Sequence, residues 1–304
     1  MYLTLMLPKW RSRVFVLAWL ARTNALFSLT AIYRRYPFRI SLTMLLVVFE
    51  SLLDLLFPLV IGWAVNDLVK GEYHGLAMLG GLGLTSLLMG SARRFYDTRV
   101  YSGIYSDTAS KMVSNGRKKG LSVSKISARS SLLTELVEFF EHSIPGIFLS
   151  LIGVVGTLAI IATLNIEIFF ACLGLLLLMI AMYLITGEKQ YQYHTQYNQI
   201  LEQRVDILTQ RTNTAVRSHF LKLMRWNVKL SDVETLNFGV IWFGTISLLV
   251  ATPLLAINGT DSVPEVGTIL AILIYVYDYS EKVVTLPFFI QQLIRLKEIS
   301  NRMN

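Results

Sequence analysis

Six stretches of this chain, residues 42–66, 76–92, 143–163, 168–186, 238–257 and 267–290, are predominantly apolar and each long enough to cross a bilayer as a helix. A hydrocarbon core needs about 20 helical residues, because a helix rises about 1.5 Å per residue. Hydrocarbon also leaves backbone N–H and C=O groups nothing to bond to except each other, so an apolar span of this length has to be helical. Composition agrees: 54% of the 304 residues are hydrophobic and 16% charged, where soluble domains run at about a quarter charged. The expected fold is therefore an all-α integral membrane protein with six transmembrane helices, and its first partner is the lipid bilayer.

Lysine and arginine assign the two sides. All but two of the 28 basic residues fall in the N-terminal arm, the connections at 93–142 and 187–237, or the C-terminal tail; the exceptions are Lys70 and Lys282. By the positive-inside rule both termini and both long connections are expected in the cytoplasm. The same distribution accounts for the net charge of +8, which leaves a nucleic-acid partner without support. Residues 14–33 form a further apolar run, but Arg22 at its centre would cost about 2.5–3.5 kcal/mol in hydrocarbon. It reads as an interfacial helix, with Arg34, Arg35 and Arg39 at lipid headgroups. Residues 1–40 are thus taken as a cytoplasmic or interfacial arm and 41–304 as the transmembrane domain. The glycines at 75, 80, 81, 83 and 90 mark the short second span for close helix packing.

The outer loops, 67–75, 164–167 and 258–266, are short, whereas the two inner connections each run to about fifty residues, or about 75 Å of helix if continuous. Residues 188–238 contain neither Gly nor Pro, so the fourth span should continue inward as helix, turn once and return as the fifth. The 93–142 connection has Gly116 and Gly120 at its turn, with Ser127, Ser130 and Ser131 available as helix caps.

This layout resembles the transmembrane domain of type I (exporter-fold) ABC transporters, over nearly the whole chain. The run RKKGLSVSKISARSSLLTELVEFFEHSIP at 117–145 is similar to the family's first inner connection and its acidic lead into the third span. The run VGTILAILIYVYDYSEKVVTLPFFIQQLIRLKEISNR at 266–302 is similar to its sixth helix with a cytoplasmic extension. The resemblance implies a pathway built by two such subunits, a second copy or a homologue. It further implies coupling helices near 124–132 and 210–221 that dock on a nucleotide-binding ATPase, with Lys125, Arg129, Arg217 and His219 as candidate contacts. An ordinary solvated turn is the alternative at both places. A bacterial inner membrane is likewise implied by resemblance.

The sequence departs from the usual family pattern in one respect. No GxxxxGK[ST] phosphate loop and no LSGGQ-like signature occur in these 304 residues, so the backbone cradle and lysine that hold nucleotide phosphates are missing. The chain is not expected to be an enzyme or to bind a cofactor; ATP would sit on a partner subunit.

Charge within hydrocarbon is costly and marks a bundle interior, a partner or a watery cavity. The first span carries Glu50 and Asp54 four residues apart. The sixth carries Asp278, Glu281 and Lys282, with Tyr275 and Tyr279 alongside. Four acids against one lysine read in two ways. Lys282 could form a packing ion pair with Asp54 or Glu50, or the surplus of negative charge could attract cationic cargo or protons. The two tyrosines could hold organic cations through their ring faces, or simply pack. Pro58, Pro253 and Pro287 interrupt spans and can kink them. Residues 258–260, Asn-Gly-Thr, read as a turn before a glycosylation acceptor. The four histidines are scattered without metal-ligand spacing, and the one cysteine, Cys172, sits in an apolar run, so neither a metal site nor a nucleophile–base pair is expected. The functional expectation is an exporter-like transporter subunit that relies on a separate ATPase. The alternatives are a motor-less membrane scaffold or regulator and an ATP-independent, proton-coupled carrier.

Overall fold

A computed structural model of the protein describes residues 29–209, 213–258 and 264–303. Nine α-helices carry almost all of these: α1 (Leu29–Arg35), α2 (Pro37–Val69), α3 (His74–Lys118), α4 (Val123–Glu138), α5 (Ile144–Leu164), α6 (Ile166–Glu202), α7 (Arg204–Thr209), α8 (Asn213–Asn258) and α9 (Val266–Met303). A π-helical turn, Phe139–Ser143, joins α4 to α5 and turns Phe139 and Phe140 into the core. Among the described residues, those of 1–50, 87–149 and 287–304 make one compact unit and those of 51–86 and 150–286 a second.

Five helices are long and apolar enough to cross a membrane: α2, α3, the run Ser130–Leu164, α6 and α8. The sixth expected span, α9, misses that standard because Asp278, Glu281 and Lys282 fall close together in its apolar stretch. Its packing within the second unit nevertheless carries it alongside the others. Gly267 N donates to Asn66 Oδ1 of α2 at 2.7 Å, Tyr275 Oη to the Leu55 carbonyl at 2.6 Å, and Tyr279 Oη to the Cys172 carbonyl of α6 at 2.8 Å. The stem of Lys282 lies on Gly153 of α5. From Gly267 to Lys282 that path covers about 22 Å. A helix with this much polar character crosses by leaning on other spans rather than by facing lipid all round.

Several helices overshoot the bilayer. At 45, 37 and 46 residues, α3, α6 and α8 extend well past the roughly 20 residues a membrane requires. The pair α6 and α8 keeps one antiparallel register for its whole length: Asn165 meets Leu255, Leu175 meets Gly244, Thr186 meets Asn237 and Tyr193 meets Trp226. Residues 165 to 193 span about 42 Å of helix, so the hairpin continues far beyond its apolar part, as the sequence predicts. Asn165 makes the sharp turn before α6. Its Oδ1 accepts from the N–H of Glu167 and Ile168 at 2.9 and 3.0 Å, which satisfies donors that a helix start leaves open.

In the first unit α3 ends at Lys118, Gly120 takes the left-handed conformation (φ 66°) that favours glycine, and α4 begins at Val123. Gly116 lets the Ile126 side chain fold against the end of α3. Ser127, Ser130 and Ser131 are therefore not caps: they lie inside α4, where Ser131 Oγ bonds back to the Ser127 carbonyl. An apolar cluster of Ile40, Val100, Ile104, Leu133 and Leu136, with the ring of Tyr101, binds α2, α3 and α4.

The glycine expectation is corrected in part. A Cβ on Gly80, Gly81 or Gly83 would meet nothing among the described residues, so these three pack closely on none of them, whereas Gly75 abuts Ala64 and Gly90 abuts Glu50. Pro58, Pro253 and Pro287 sit inside continuous helices. The interfacial reading of 14–33 falls mostly outside the described residues, of which Leu29–Arg35 is helical; residues 259 and 260 of the Asn-Gly-Thr turn also fall outside. Between the helix ends Lys70 Nζ donates to Glu265 Oε1 at 2.7 Å, and that carboxylate holds the amine above its usual range.

Gly62 of α2 and Gly267 of α9 lie backbone to backbone, and a Cβ on either would strike the other helix. Gly267→Val should force α9 away from α2, cost about 1–3 kcal/mol and lower the thermal midpoint of the protein in lipid nanodiscs. Gly80→Val, whose Cβ meets nothing among the described residues, should leave that midpoint in place.

Candidate functional site

Charged side chains in and beside the spans fall into two groups with different chemistry. The first lies in the first unit. Glu50 of α2 accepts from Arg93 Nε of α3, and Arg93 Nη1 donates to Asp97 Oδ2 at 2.9 Å. Glu50 and Asp97 are 8% and 4% exposed, so the guanidinium is bracketed by two buried carboxylates. Arg94, mostly exposed, stands 4.0 Å from the other Glu50 oxygen. Gly90 makes the approach possible: a Cβ there would sit 3.1 Å from Glu50 Oε1. Further along the same helix pair, Asp107 accepts from Tyr36 Oη and pairs with Arg35 at 3.3 Å and Lys111 at 2.7 Å.

Arg93 and Asp97 are functional candidates that the sequence reading missed. Both follow directly on the second span, where a basic residue reads as a marker of the inner side. Their spacing of four was the available signal, since it puts the pair on one helix face. The expected pairing of Lys282 with Glu50 is corrected, because the Glu50 carboxylate is taken by Arg93.

The second group lies on α9. Tyr275 and Tyr279 are 1% and 0% exposed, with their hydroxyls on backbone carbonyls of α2 and α6. They are packing residues with satisfied polar tips, and the reading of them as a cation-holding cavity wall is corrected. The opposite face of α9 is polar: Tyr277 and Glu281 are exposed and Asp278 half-buried, with Thr285 exposed one turn on. Asp278 feels the opposed charges of Lys282 and Glu281 beside it. Asp54 of α2 is also exposed, although Glu50 four residues earlier is buried. By contrast, the exposed side chains of α3, α6 and α8 in their apolar parts are largely aliphatic or aromatic, such as Leu87, Leu184 and Phe243. That is what a lipid-facing surface requires.

The expected coupling residues divide as well. Residues 124–132 form the first part of α4; the side chains of Lys125 and Arg129 lie outside the described ones. Residues 210–212 of the second inner turn also lie outside, between the short helix α7 and the start of α8. There Arg217 is exposed. His219 is buried, its ring set edge-on to Phe220 with centroids 5.6 Å apart and its Nε2 without a partner among the described residues. Nearby, Lys229 Nζ lies 4.3 Å from the Trp226 ring centroid, and Trp226 packs on Tyr193.

Removing Arg93 would leave two carboxylates buried without their cation, a loss of about 3–5 kcal/mol. Arg93→Met should therefore lose folded protein on heating, followed by fluorescence-detected size exclusion, and Glu50→Gln added to it should restore part of the loss.

A family model of the ABC transporter transmembrane region matches residues 29–264. No curated protein matches the chain.

Proposed function

The chain belongs to the ABC transporter transmembrane-region family, and from that premise we propose that it forms half of a twelve-helix export pathway driven by an ATPase on another polypeptide. It is an integral membrane protein and a transporter subunit; the pairing and the motor are the proposal. A second copy or a homologue completes the pathway, in a bacterial inner membrane with both termini and both long connections on the cytoplasmic side.

The observation that carries the reading is the polar stripe of α9. Glu281 is exposed and Asp278 half-buried on α9, and Asp54 is exposed on α2, within segments that otherwise have to sit in hydrocarbon. A carboxylate facing lipid at the centre of a span costs about 2.5–3.5 kcal/mol on insertion scales. A water-filled cavity closed by a partner subunit removes that cost and explains why one face of α9 is polar while the other is packed. In such a cavity the acids favour cationic or amphipathic cationic solutes, and Tyr277 offers a ring beside them. The helical extensions of α3, α4, α6 and α8 support the second half of the reading. Helices projecting tens of ångströms past the bilayer, at about 1.5 Å per residue, supply a turn at 119–122 and the short helix α7 where a motor can push. Arg217 is exposed beyond α7.

Crosslinking in native membranes, followed by purification through a tag and mass spectrometry, tests the motor. A nucleotide-binding ATPase crosslinked through cysteines placed at 124–132 or at Arg217 is the expected result. Recovery of the chain without any ATPase overturns it. The pathway is tested separately: Glu281→Gln should change solute flux at least severalfold at unchanged membrane level and thermal midpoint. Tyr279→Phe, which only removes a packing hydrogen bond, should lower the midpoint by the equivalent of about 1 kcal/mol with little effect on flux.

A further inference from the structure

One face of α3 is exposed without a break from Leu87 to Arg99. Leu87 and Leu88 lead into Ser91 and Phe95 on that face, all four exposed, while Asp97, Val100 and Tyr101 turn the other way and are buried. The four stand three, four or seven residues apart, so they form one strip down the helix. Arg94 and Arg99 are exposed as well, and at 3.6 residues per turn they fall on opposite sides of Phe95. The strip is thus mainly apolar, with two cations flanking one end.

Depth puts the two ends in different surroundings. The helix α3 starts at His74, and twenty residues at about 1.5 Å each set Arg94 about 30 Å along it, the thickness of a hydrocarbon core. Arg99 lies about 7.5 Å further on, in the headgroup layer. Leu87 and Leu88 remain at the level of acyl chains.

The two arginines have charge to spare. Arg94 stands 4.0 Å from a Glu50 oxygen, but that carboxylate is already bonded by Arg93. Arg99 pairs with no acid among the described residues. Its guanidinium stacks on the Phe95 ring, 3.2 Å from the centroid, and its Nη1 donates to the Phe95 carbonyl at 2.9 Å. Stacking occupies the flat face of the group and the carbonyl takes one of its five N–H donors, so most of its edge is open to an anion. Being held twice by Phe95, Arg99 also has less freedom left to lose on binding.

We propose that this strip binds one anionic phospholipid, its phosphate between Arg94 and Arg99 and an acyl chain along Phe95, Ser91 and the two leucines. Guanidinium groups meet phosphate oxygens through charge-assisted hydrogen bonds. A zwitterionic lipid brings its own ammonium, which competes for that phosphate; a lipid with an uncharged head leaves the negative charge to the arginines. A free phosphate would use the cations and ignore the apolar strip. A lipid uses both, each at the depth where it lies. The site requires neither an ATPase nor a partner subunit, and its test does not depend on transport.

Native mass spectrometry of the full-length chain, titrated in mild detergent with phosphatidylglycerol or phosphatidylcholine, counts the bound lipid. Phosphatidylglycerol should be held in preference, and Arg94→Gln and Arg99→Gln should each weaken it about fivefold, the worth of one basic residue at an anionic surface. Arg117→Gln with Lys118→Gln, which removes two charges from the far end of α3, should leave it unchanged. An equal loss in that control would mean diffuse attraction to net charge and would overturn the site. If Arg94→Gln does not fold, Arg99→Gln, which leaves the Glu50 clasp intact, decides, and undiminished binding counts against the proposal. Inorganic phosphate at the same concentration should not displace the lipid; displacement would mean that the arginines take the anion alone. Disulfide-linked dimers of Ser91→Cys in nanodiscs would mean that a second copy covers the strip, and the lipid site would be wrong.

Discussion

Hydrocarbon gives a polypeptide no hydrogen-bond partners, and every other feature of this protein follows from how that shortage is met. The backbone meets it by forming helices almost throughout the described residues. Side chains meet it one at a time. Thr252 is fully buried and bonds back to the carbonyl four residues earlier on its own helix. Asn66, Asn165 and Asn237 reach across to a neighbouring helix instead. Each of the three locks a pair of spans at one level, because an asparagine left unbonded there would lose the desolvation energy of its amide with no return. Asn66 does this at the outer end of α2, Asn165 at the turn into α6, and Asn237 midway along the α6–α8 hairpin.

Charge is handled by two different devices. Around Glu50 the helices supply the counter-charge themselves, with Gly90 removing the one atom that would keep α2 at a distance. That arrangement fixes the register of α2 against α3, since a slip of one residue would leave a buried charge unpaired. On α9 the acids are not enclosed. Its buried face is tied down by two tyrosine hydroxyls on backbone carbonyls, which rigidly orients the helix and so dictates that the acidic face points away from the packed core. The two faces of α9 therefore differ: the tyrosines hold it in place, and Glu281 is displayed.

The extensions beyond the membrane obey ordinary aqueous rules. Without Gly or Pro between 188 and 238, nothing ends the α6–α8 hairpin until the turn around α7, and its outer surface is free to be polar. Aromatic packing of Tyr193 on Trp226, with Lys229 over the indole ring, fastens this portion where lipid no longer does. Here an error in the sequence reading is instructive. Ser127, Ser130 and Ser131 carry the residue type of a cap, but the helix start is set by Gly120, whose left-handed backbone ends the preceding turn and moves the start of α4 to Val123.

By itself the sequence determined the class of fold, the lengths of the spans, the long inner hairpins and the presence of intramembrane acids. Those properties depend on local apolarity, on charge and on the absence of helix breakers, all of which are read along the chain. It did not determine which acid is enclosed and which is displayed. Glu50 and Asp54 are four residues apart on the same helix, yet one is buried against Arg93 and the other is exposed. Nor could it separate Tyr275 and Tyr279 as packing residues from Tyr277 as an exposed one, or show that Gly62 and Gly267 touch while Gly80, Gly81 and Gly83 meet nothing. Those outcomes belong to the tertiary structure, since burial is a property of two surfaces brought together and only one of them lies along the chain.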